Sequence, residues 1–173
     1  MPIVQRSSNV FVLGDSPDFV HRGIIADLKN AADRSPLKRA RLCLHRDGTE
    51  LVHEMLIVLA GSVYIRPHRH LNKPESFHLL EGDVSAVFFD DDGIPTREVR
   101  LGRGPDQPFI YRVTHPVYHT QWVWSDYVVF YECTRGPFLK EETEYASWAP
   151  EEGTSEVAAY QARLKEQLAS LLA

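Results

Sequence analysis

From Leu42 onward, short apolar runs alternate with turn-forming residues, and this pattern predicts a succession of β-strands. The runs are rich in β-branched and aromatic residues, recur about every ten residues and have no helical period between them. Such a pattern favours an antiparallel sandwich or barrel over a sheet of alternating strands and helices. The predicted strands cover residues 42–44, 51–59, 61–67, 76–82, 83–89, 97–101, 108–113 and 127–133.

The clearest predicted hairpin covers residues 85–99, in which two apolar segments flank an acidic turn. Asp92 and Gly93 form the pair of residues that a two-residue turn with positive φ prefers. We therefore expect the chain to reverse tightly at this pair.

A helix is predicted on each side of the strand region. The first begins near Phe19, is capped by residues 15–18 and ends before Pro36, because the residue before a proline is disfavoured in the α conformation. The second covers residues 154–172 and has a hydroxyl cap and an acidic first turn. Residues 134–153, which precede it and carry many charges, are predicted to be a surface excursion. The apolar stripes consist of Val20, Ile24, Ile25 and Leu28 in the first helix and Val157, Tyr160, Leu164, Leu168 and Leu171 in the second.

The composition is that of an ordinary globular domain, since 43% of the 173 residues are hydrophobic and 25% are charged. We expect one domain, with an N-terminal segment and helix in residues 1–40, a barrel in residues 41–138, and a charged loop and C-terminal helix in residues 139–173. Cys43 and Cys133 are expected to be reduced thiols rather than a disulfide.

Charge and hydropathy exclude two classes of partner. The formal net charge is -5 and no polybasic stripe is present, so nucleic acid is not an expected partner. No apolar run approaches the roughly 18 to 20 residues that span a bilayer, so no membrane partner is expected and the cytoplasm is the expected location.

Residues 61–82, GSVYIRPHRHLNKPESFHLLEG, bring metal-binding side chains together. His68 and His70 are two residues apart, so on a strand both imidazoles point to the same side. Glu75 follows an Asn-Lys-Pro turn that would return its carboxylate to the same pocket. His119, on a neighbouring strand, would complete the site. Imidazole and carboxylate ligands suit a divalent transition metal such as Zn, Fe, Mn, Co or Ni, and the alternative is that these histidines only decorate the mouth of a barrel.

Other side chains are candidates for the same pocket. Tyr64 and Arg66 have the same parity as His68, so we expect them to face the barrel interior as candidate catalytic residues. Arg66 would either clamp a carboxylate or phosphate group or form an ion pair. His53 and Glu54 would either orient a ligand imidazole or simply pack in their strand. The sequence leaves open the roles of His45, His53, His78 and His115.

The order and spacing of these residues resemble the two sequence motifs of the cupins. In the first motif a glycine precedes a His-X-His pair, a glutamate follows the pair, and a second glycine follows the glutamate. The second motif supplies a further histidine. The matching residues are Gly61, His68, His70, Glu75 and Gly82 in the first motif and His119 in the second.

The cupin resemblance implies an all-β fold with flanking helices. Its core would be a double-stranded β-helix, that is, a jelly-roll barrel, with the metal inside one open end. The resemblance also implies that the two histidines of the pair, the glutamate and the second-motif histidine are the metal ligands.

Within the cupins, a longer stretch is similar to the WbuC-type cupin metalloproteins, which are associated with bacterial O-antigen and polysaccharide gene clusters. The similarity covers roughly residues 20–140, most of the chain. It rests on RARLCLH at residues 39–45, the strand LVHEMLIVL, the PHRH segment, Lys73 with Glu75, LLEG, the FFDDDG hairpin, and Gly136, Pro137 and Phe138 after the last strand.

Three functions are compatible with this resemblance, and each would bind a small-molecule ligand. The first is a metal-dependent enzyme that acts on a sugar or sugar derivative in polysaccharide metabolism, with the metal as Lewis acid in an isomerisation, epimerisation or related proton transfer. The second is an iron-dependent dioxygenase of a small polar metabolite, and the third is a non-catalytic sugar-binding or regulatory cupin. We also expect a homodimer, because cupins commonly associate through barrel faces and the predicted helices offer apolar stripes.

Overall fold

Two β-sheets and two helices make up the computed structural model, which describes residues 3–13 and 19–171. The fold is therefore predominantly β with flanking helices, as the strand pattern predicts. In chain order the elements are β1 (Val4–Ser7), β2 (Val10–Val12), α1 (Ile24–Arg34), β3 (Arg39–Cys43), β4 (Val52–Ala60), β5 (His68–His70), β6 (Glu75–Glu81), β7 (Val84–Phe89), β8 (Pro95–Leu101), β9 (Ile110–Val113), β10 (Tyr118–Val123), β11 (Tyr127–Arg135), a 3₁₀ turn (Lys140–Glu142), β12 (Thr143–Tyr145) and α2 (Val157–Leu171).

The strands form two facing sheets whose inner faces enclose the main core. The seven-stranded sheet has the order β1-β2-β3-β4-β11-β6-β9, and the five-stranded sheet has the order β12-β5-β10-β7-β8. Leu59, Phe77 and Val128 from the first sheet pack with Val84 and Leu101 from the second, and all five side chains are almost completely buried. Inward-facing apolar residues thus hold the two sheets together.

Each helix covers the outer face of one sheet. Leu28 of α1 is fully buried against β3 and β4 of the seven-stranded sheet, where it packs with Val58. Leu164 and Leu168 of α2 are buried against the five-stranded sheet, where they pack with Phe89. Most residues of both predicted stripes are therefore used within the chain, but Val20 precedes α1 and is exposed, and Leu171 at the end of α2 is also exposed.

Both helices begin later in the sequence than predicted. Helix α1 begins at Ile24, not near Phe19, and its predicted cap at residues 15–18 lies outside the described residues. Its end is confirmed, because Ser35 is extended immediately before Pro36. Helix α2 begins at Val157, and the final predicted residue, Leu172, lies outside the described part.

The predicted strand at residues 61–67 is wrong for most of its length. Residues 63–67 are irregular, and strand pairing begins only at His68. The carbonyl of Ile65 accepts a hydrogen bond from Thr120 Oγ1, and Pro67 has no N–H to donate to a ladder. The chain therefore does not keep the regular alternation of a strand through this segment.

The predicted hairpin between β7 and β8 is confirmed, but its turn is longer than two residues. Phe89 pairs with Pro95, so five residues form the loop. The Asp90 side chain accepts hydrogen bonds from the backbone N–H groups of Asp92 and Ile94. Gly93 has a φ of +85°, which glycine tolerates without strain.

Residues 134–153 are not merely the predicted surface excursion. They include β12, which pairs with β5 and so extends the five-stranded sheet. Ala146 and Ala149 are buried beside Tyr160 of α2. This segment therefore closes one end of the sandwich against the C-terminal helix.

Cys43 and Cys133 are free, as predicted; the first is buried and the second half-buried. Among the helices formed by residues 3–13 and 19–171, none has the length and apolar character of a membrane span.

Candidate metal centre

Three strands from both sheets bring the four predicted metal-binding side chains together. Strand β5 contributes His68 and His70, β6 contributes Glu75 and β10 contributes His119. His119 pairs directly with His68 across β10 and β5. One nitrogen or oxygen atom from each of the four residues lies within 4.8 Å of the others. Side chains that are far apart in the sequence therefore lie close together between the two sheets.

The histidine rings are held by contacts of their Nδ1 atoms, which leaves Nε2 directed at the cluster. Nδ1 of His119 lies 3.0 Å from the carbonyl oxygen of Val117, and Nδ1 of His68 lies 3.0 Å from that of Arg66. A carbonyl oxygen only accepts, so Nδ1 carries the proton in both rings and Nε2 keeps its lone pair. Nδ1 of His70 lies 3.2 Å from Thr143 Oγ1. Such contacts are the usual means of orienting metal-binding histidines.

One atom of the cluster indicates that a group belongs between these residues. His119 is 1% exposed, and its Nε2 has no hydrogen-bond partner within the described residues. The nearest carboxylate oxygen, Oε1 of Glu75, is 3.8 Å away and too distant for a hydrogen bond. A buried polar atom without a partner is costly, and a metal ion would satisfy it. Three imidazoles and one carboxylate are a suitable donor set for a divalent transition metal.

The electrostatics of the cluster favour positive charge between its side chains: burial opposes it, but the Glu75 carboxylate raises the pKa of His119. Burial and the neighbouring His119 lower the pKa of His68 to about 3, so its ring is neutral. Burial opposes ionisation of Glu75, but the interactions with His119 and His70 outweigh it, and its pKa falls well below the usual value. Oε2 of Glu75 lies 2.8 Å from Nε2 of His70. The carboxylate is therefore available as an anionic ligand.

A cavity with two lobes lies beside the cluster. We name the Phe130 lobe, of about 360 Å³, for the residue on its inner wall, and the His53 lobe, of about 330 Å³, in the same way. His68 and Glu75 line both lobes, so a small molecule in either lobe would lie beside the metal position. Volumes of this size are at the lower end of the range for small-molecule sites. The two lobes also share Val10, Arg41 and Glu132.

Glu132, which the sequence interpretation missed, is a carboxyl group inside this cavity. It lies on β11 between Met55 and Phe77 of the adjacent strands. Burial and the charge of Glu75 raise the pKa of Glu132 to about 8, against the opposing charges of Lys73 and Arg41. Strand alternation offered a signal, since residue 132 shares a face with the apolar Val128 and Phe130.

Arg41 and Lys73 are the two cationic side chains at the cavity that form no salt bridge or side-chain hydrogen bond within residues 3–13 and 19–171. Arg41 lies on β3 and lines both lobes, whereas Lys73 lies between β5 and β6 and lines the His53 lobe. The Lys73 ammonium is 5.6 Å from the centre of the Phe138 ring. The neighbouring Arg39, in contrast, forms a bidentate ion pair with Glu152.

The expectation that Tyr64 and Arg66 face the barrel interior is wrong. Tyr64 packs against Tyr160 of α2 and donates a hydrogen bond to the carbonyl of Pro150. Arg66 donates two hydrogen bonds to the carbonyl of Ala146. The irregular segment before β5 breaks the alternation, so parity counted back from His68 does not hold. Neither side chain lines the two lobes.

The orienting role considered for His53 and Glu54 is also wrong. The His53 ring stacks on His45 at 4.2 Å between centroids and lines the His53 lobe, but it contacts no ligand histidine through a hydrogen bond. Glu54 accepts a hydrogen bond from Tyr131. The Nδ1 contacts described above orient the ligand rings instead. Of the remaining histidines, His78 lies beside Phe109 on the outer face, and His115 is exposed in a loop.

Comparison with protein families gives one match. Residues 20–101 match the model of a domain of unknown function, DUF6016. No curated protein matches the sequence.

Comparison with solved structures gives alignments at low sequence identity. Protein SO0799 from Shewanella oneidensis aligns with a TM-score of 0.51 and 14% identity over 74% of this chain and 81% of that chain. A double-stranded β-helix protein from Klebsiella pneumoniae has a TM-score of 0.48 and 11% identity over 62% and 79% of the two chains. The cupin domain of Cnp3 from Schizosaccharomyces pombe has a TM-score of 0.45 and 11% identity over 57% and 65%. At sequence identities this low, structural similarity is evidence about the fold and not about the function. The two-sheet topology confirms the predicted jelly-roll, or double-stranded β-helix, fold.

Proposed function

We propose that this cupin-fold protein binds a divalent transition metal through His68, His70, Glu75 and His119 and acts there on a sugar or sugar derivative. The observation that carries the proposal is the convergence of these four side chains, with the unpartnered Nε2 of His119 among them. Three imidazoles and a carboxylate are compatible with Zn, Fe, Mn or Ni as the bound metal.

The chain's own groups suit a proton-transfer reaction. A bound metal would polarise an oxygen of the ligand and so make a neighbouring C–H or O–H group more acidic. Glu132 lines both lobes beside the metal position and would accept that proton and return it. Its raised pKa places proton exchange close to neutral pH. Isomerisation and epimerisation both require such a carrier.

The sugar component of the proposal rests on the resemblance to WbuC-type cupins and their association with polysaccharide gene clusters. The site is compatible with it, because the lobes hold a small polar molecule and present hydrogen-bonding groups such as Gln121 and Thr134. Glu132 is the observation that favours proton transfer over the dioxygenase and over simple binding.

Metal binding is tested by elemental analysis of protein purified without added metal. We expect about one divalent transition metal per chain in the wild type and none in the His68→Ala, His70→Ala double variant, because two of four ligands are lost. His78→Ala is the matched control, since His78 lies on the outer face, and it should retain the metal. Metal retained by the double variant would contradict the assignment.

Proton transfer is tested by following deuterium incorporation from D₂O into aldoses, ketoses and uronic acids by NMR. We expect the metal-loaded wild type to exchange a carbon-bound hydrogen and Glu132→Gln to do so about 100-fold more slowly with unchanged metal content. Iron-dependent oxygen consumption without exchange would favour the dioxygenase. Ligand binding with neither reaction would favour the non-catalytic alternative.

A further inference from the structure

Two cations for which no ion partner is found within the described residues, Arg41 and Lys73, line the same small cavity. Arg39, Arg66 and Arg69 each contact an acidic side chain within 4.0 Å. Arg41 and Lys73 have no such contact within the described residues, although both line the His53 lobe. Arg41 is exposed and Lys73 is half-buried, so water can hydrate both; it is their convergence on one cavity that favours an anionic ligand there.

The two cations approach the cavity from different sides. Arg41 lies on β3, and Lys73 lies in the connection that leads into β6. In the seven-stranded sheet β4 and β11 separate these strands, and β11 carries Glu132. The strand order therefore places β3, with Arg41, on one side of Glu132 and the connection into β6, with Lys73, on the other. A ligand above Glu132 would therefore lie between the two cations.

Charge balance within the lobe favours an anionic ligand. Glu75 and Glu132 together offset Arg41 and Lys73 when both carboxyls are ionised, and a divalent metal would leave a positive excess. A cavity with excess positive charge raises the local concentration of anions and their rate of entry. The guanidinium of Arg41 also offers the planar fork that matches a carboxylate.

The surroundings favour a carboxylate over a phosphate group. Phosphate sites are commonly built from backbone N–H groups at the start of a helix or in a glycine-rich loop. Neither α1 nor α2 contributes a residue to either lobe. The cavity is walled mainly by strand side chains, and its volume suits a compact acid.

We infer that the His53 lobe selects a hydroxycarboxylate, such as a sugar acid, and that Arg41 and Lys73 bind its carboxylate group. This inference deepens the proposed function, because it assigns a class of substrate to the same site. The anion-binding half is made by the two cations, so it is present in the metal-free protein as well.

The test is calorimetric titration of metal-depleted and zinc-loaded protein, at one fixed ionic strength, with glucuronate and gluconate. Glucose is the neutral comparison and glucose 6-phosphate the phosphate comparison. We expect both acids to bind at least about tenfold more tightly than glucose in the two forms of the protein, since a charge-assisted pair is lost with the neutral sugar. Zinc should tighten the binding of the acids further.

The Arg41→Gln, Lys73→Gln double variant should lose most of this preference, again by about tenfold or more, with its zinc content unchanged. The control is Arg97→Gln, Lys165→Gln, which changes the net charge equally at two exposed positions outside the cavity and should bind like the wild type. Equal binding of acids and glucose, tighter binding of glucose 6-phosphate, no binding of either acid, or an unaffected double variant would each overturn the inference.

The two proposals fail in different ways. A wild type that binds no zinc but still prefers gluconate to glucose would refute the metal assignment and support the anion site. A wild type that binds zinc but shows no preference for the acids would do the reverse.

Discussion

At the level of single residues, the candidate metal centre depends on neighbouring side chains that hold its ligand rings in position. The ring of His70 is held between Glu75, 2.8 Å from its Nε2, and Thr143, 3.2 Å from its Nδ1. Thr143 belongs to β12, in a charged segment with no motif of its own. Such orienting contacts commonly change metal affinity by about 10- to 100-fold.

Replacement of Thr143 with valine should weaken zinc binding by about tenfold, because valine keeps the shape of threonine but cannot contact Nδ1 of His70. Zinc affinity is measured by competition with a chelator of known affinity. The control is Thr96→Val, since Thr96 lies in the distant β8 and its hydroxyl contacts only the carbonyl of Phe88. An unchanged zinc affinity in Thr143→Val would show that the contact does not orient the ring.

Predictions for single residues succeeded where they used the spacing between nearby residues. They failed where they extended the alternation of a strand to more distant residues. The placement of His68, His70 and Glu75 together followed from a strand period and a short turn. Arg41 was missed as a site residue because an exposed arginine that alternates with apolar residues is typical of any strand with one solvent-facing side. Ala40 and Leu42 face the helix, and the arginines of the same strand face the cavity.

At the level of elements, the short strand β5 is the most constrained part of the fold. It has only three residues and pairs with β10 on one side and β12 on the other. Because two of its residues belong to the candidate metal centre, both neighbouring strands position that centre. The irregular residues 63–67 before it explain why the alternation fails at Arg66.

The turn between β6 and β7 requires glycine at position 82. Gly82 has a φ of +88°, and a Cβ there would collide with the carbonyl oxygen of Tyr127. We expect Gly82→Ala to lower the free energy of unfolding by roughly 2 kcal/mol or more, from backbone strain and overlap together. Urea unfolding at equilibrium measures this change.

Substitutions at two further glycines distinguish the effect of backbone strain from that of steric overlap. Gly153 has a φ of +82° but open space around its Cβ position, so Gly153→Ala should cost only about 1 kcal/mol. Gly23 has a φ of -55° and also open space, so alanine there should be neutral or stabilise by about 0.5 kcal/mol. Equal effects at Gly82 and Gly153 would show that the overlap is relieved.

At the level of the whole molecule, the candidate metal centre links the two sheets. Glu75 belongs to the seven-stranded sheet, and the three histidines belong to the five-stranded sheet. A metal bound there would therefore connect the sheets as well as create the reactive position. Of the two anion-binding side chains, Arg41 belongs to the seven-stranded sheet, and Lys73 lies in the connection between the two sheets.

The helix stripes are not available as the interface of the expected homodimer, so a different surface would have to form it. The helix stripes that suggested it are buried within the chain, apart from residues such as Leu171. Phe109, Ile110 and Leu80 are instead exposed around the edge strand β9. An apolar group beside an unpaired strand edge is a suitable surface for a second copy.

We propose that dimerisation uses this edge, and we expect a dimer at micromolar concentration by mass measurement in solution. Phe109→Asp should shift it to monomer, because a buried charge would have no partner there. Ile94→Asp, at an equally exposed residue in the β7–β8 loop, is the control and should remain dimeric. A monomeric wild type would refute the proposal.

The sequence by itself determined the fold class, most strands, the end of the first helix and the four clustered residues of the candidate metal centre. The strands, the end of the helix and the grouping of His68, His70 and Glu75 depend on local periods and short turns, whereas His119 was assigned through its predicted strand and the resemblance to the second cupin motif. Only the tertiary structure placed Arg41 and Glu132 at the cavity and turned Tyr64 and Arg66 away from it. Alternation along a strand shows which residues share a face but not whether that face borders a cavity or open solvent, and an irregular segment resets the alternation. The orienting role of Thr143 likewise depends on a pairing between β5 and β12 across 73 residues of chain.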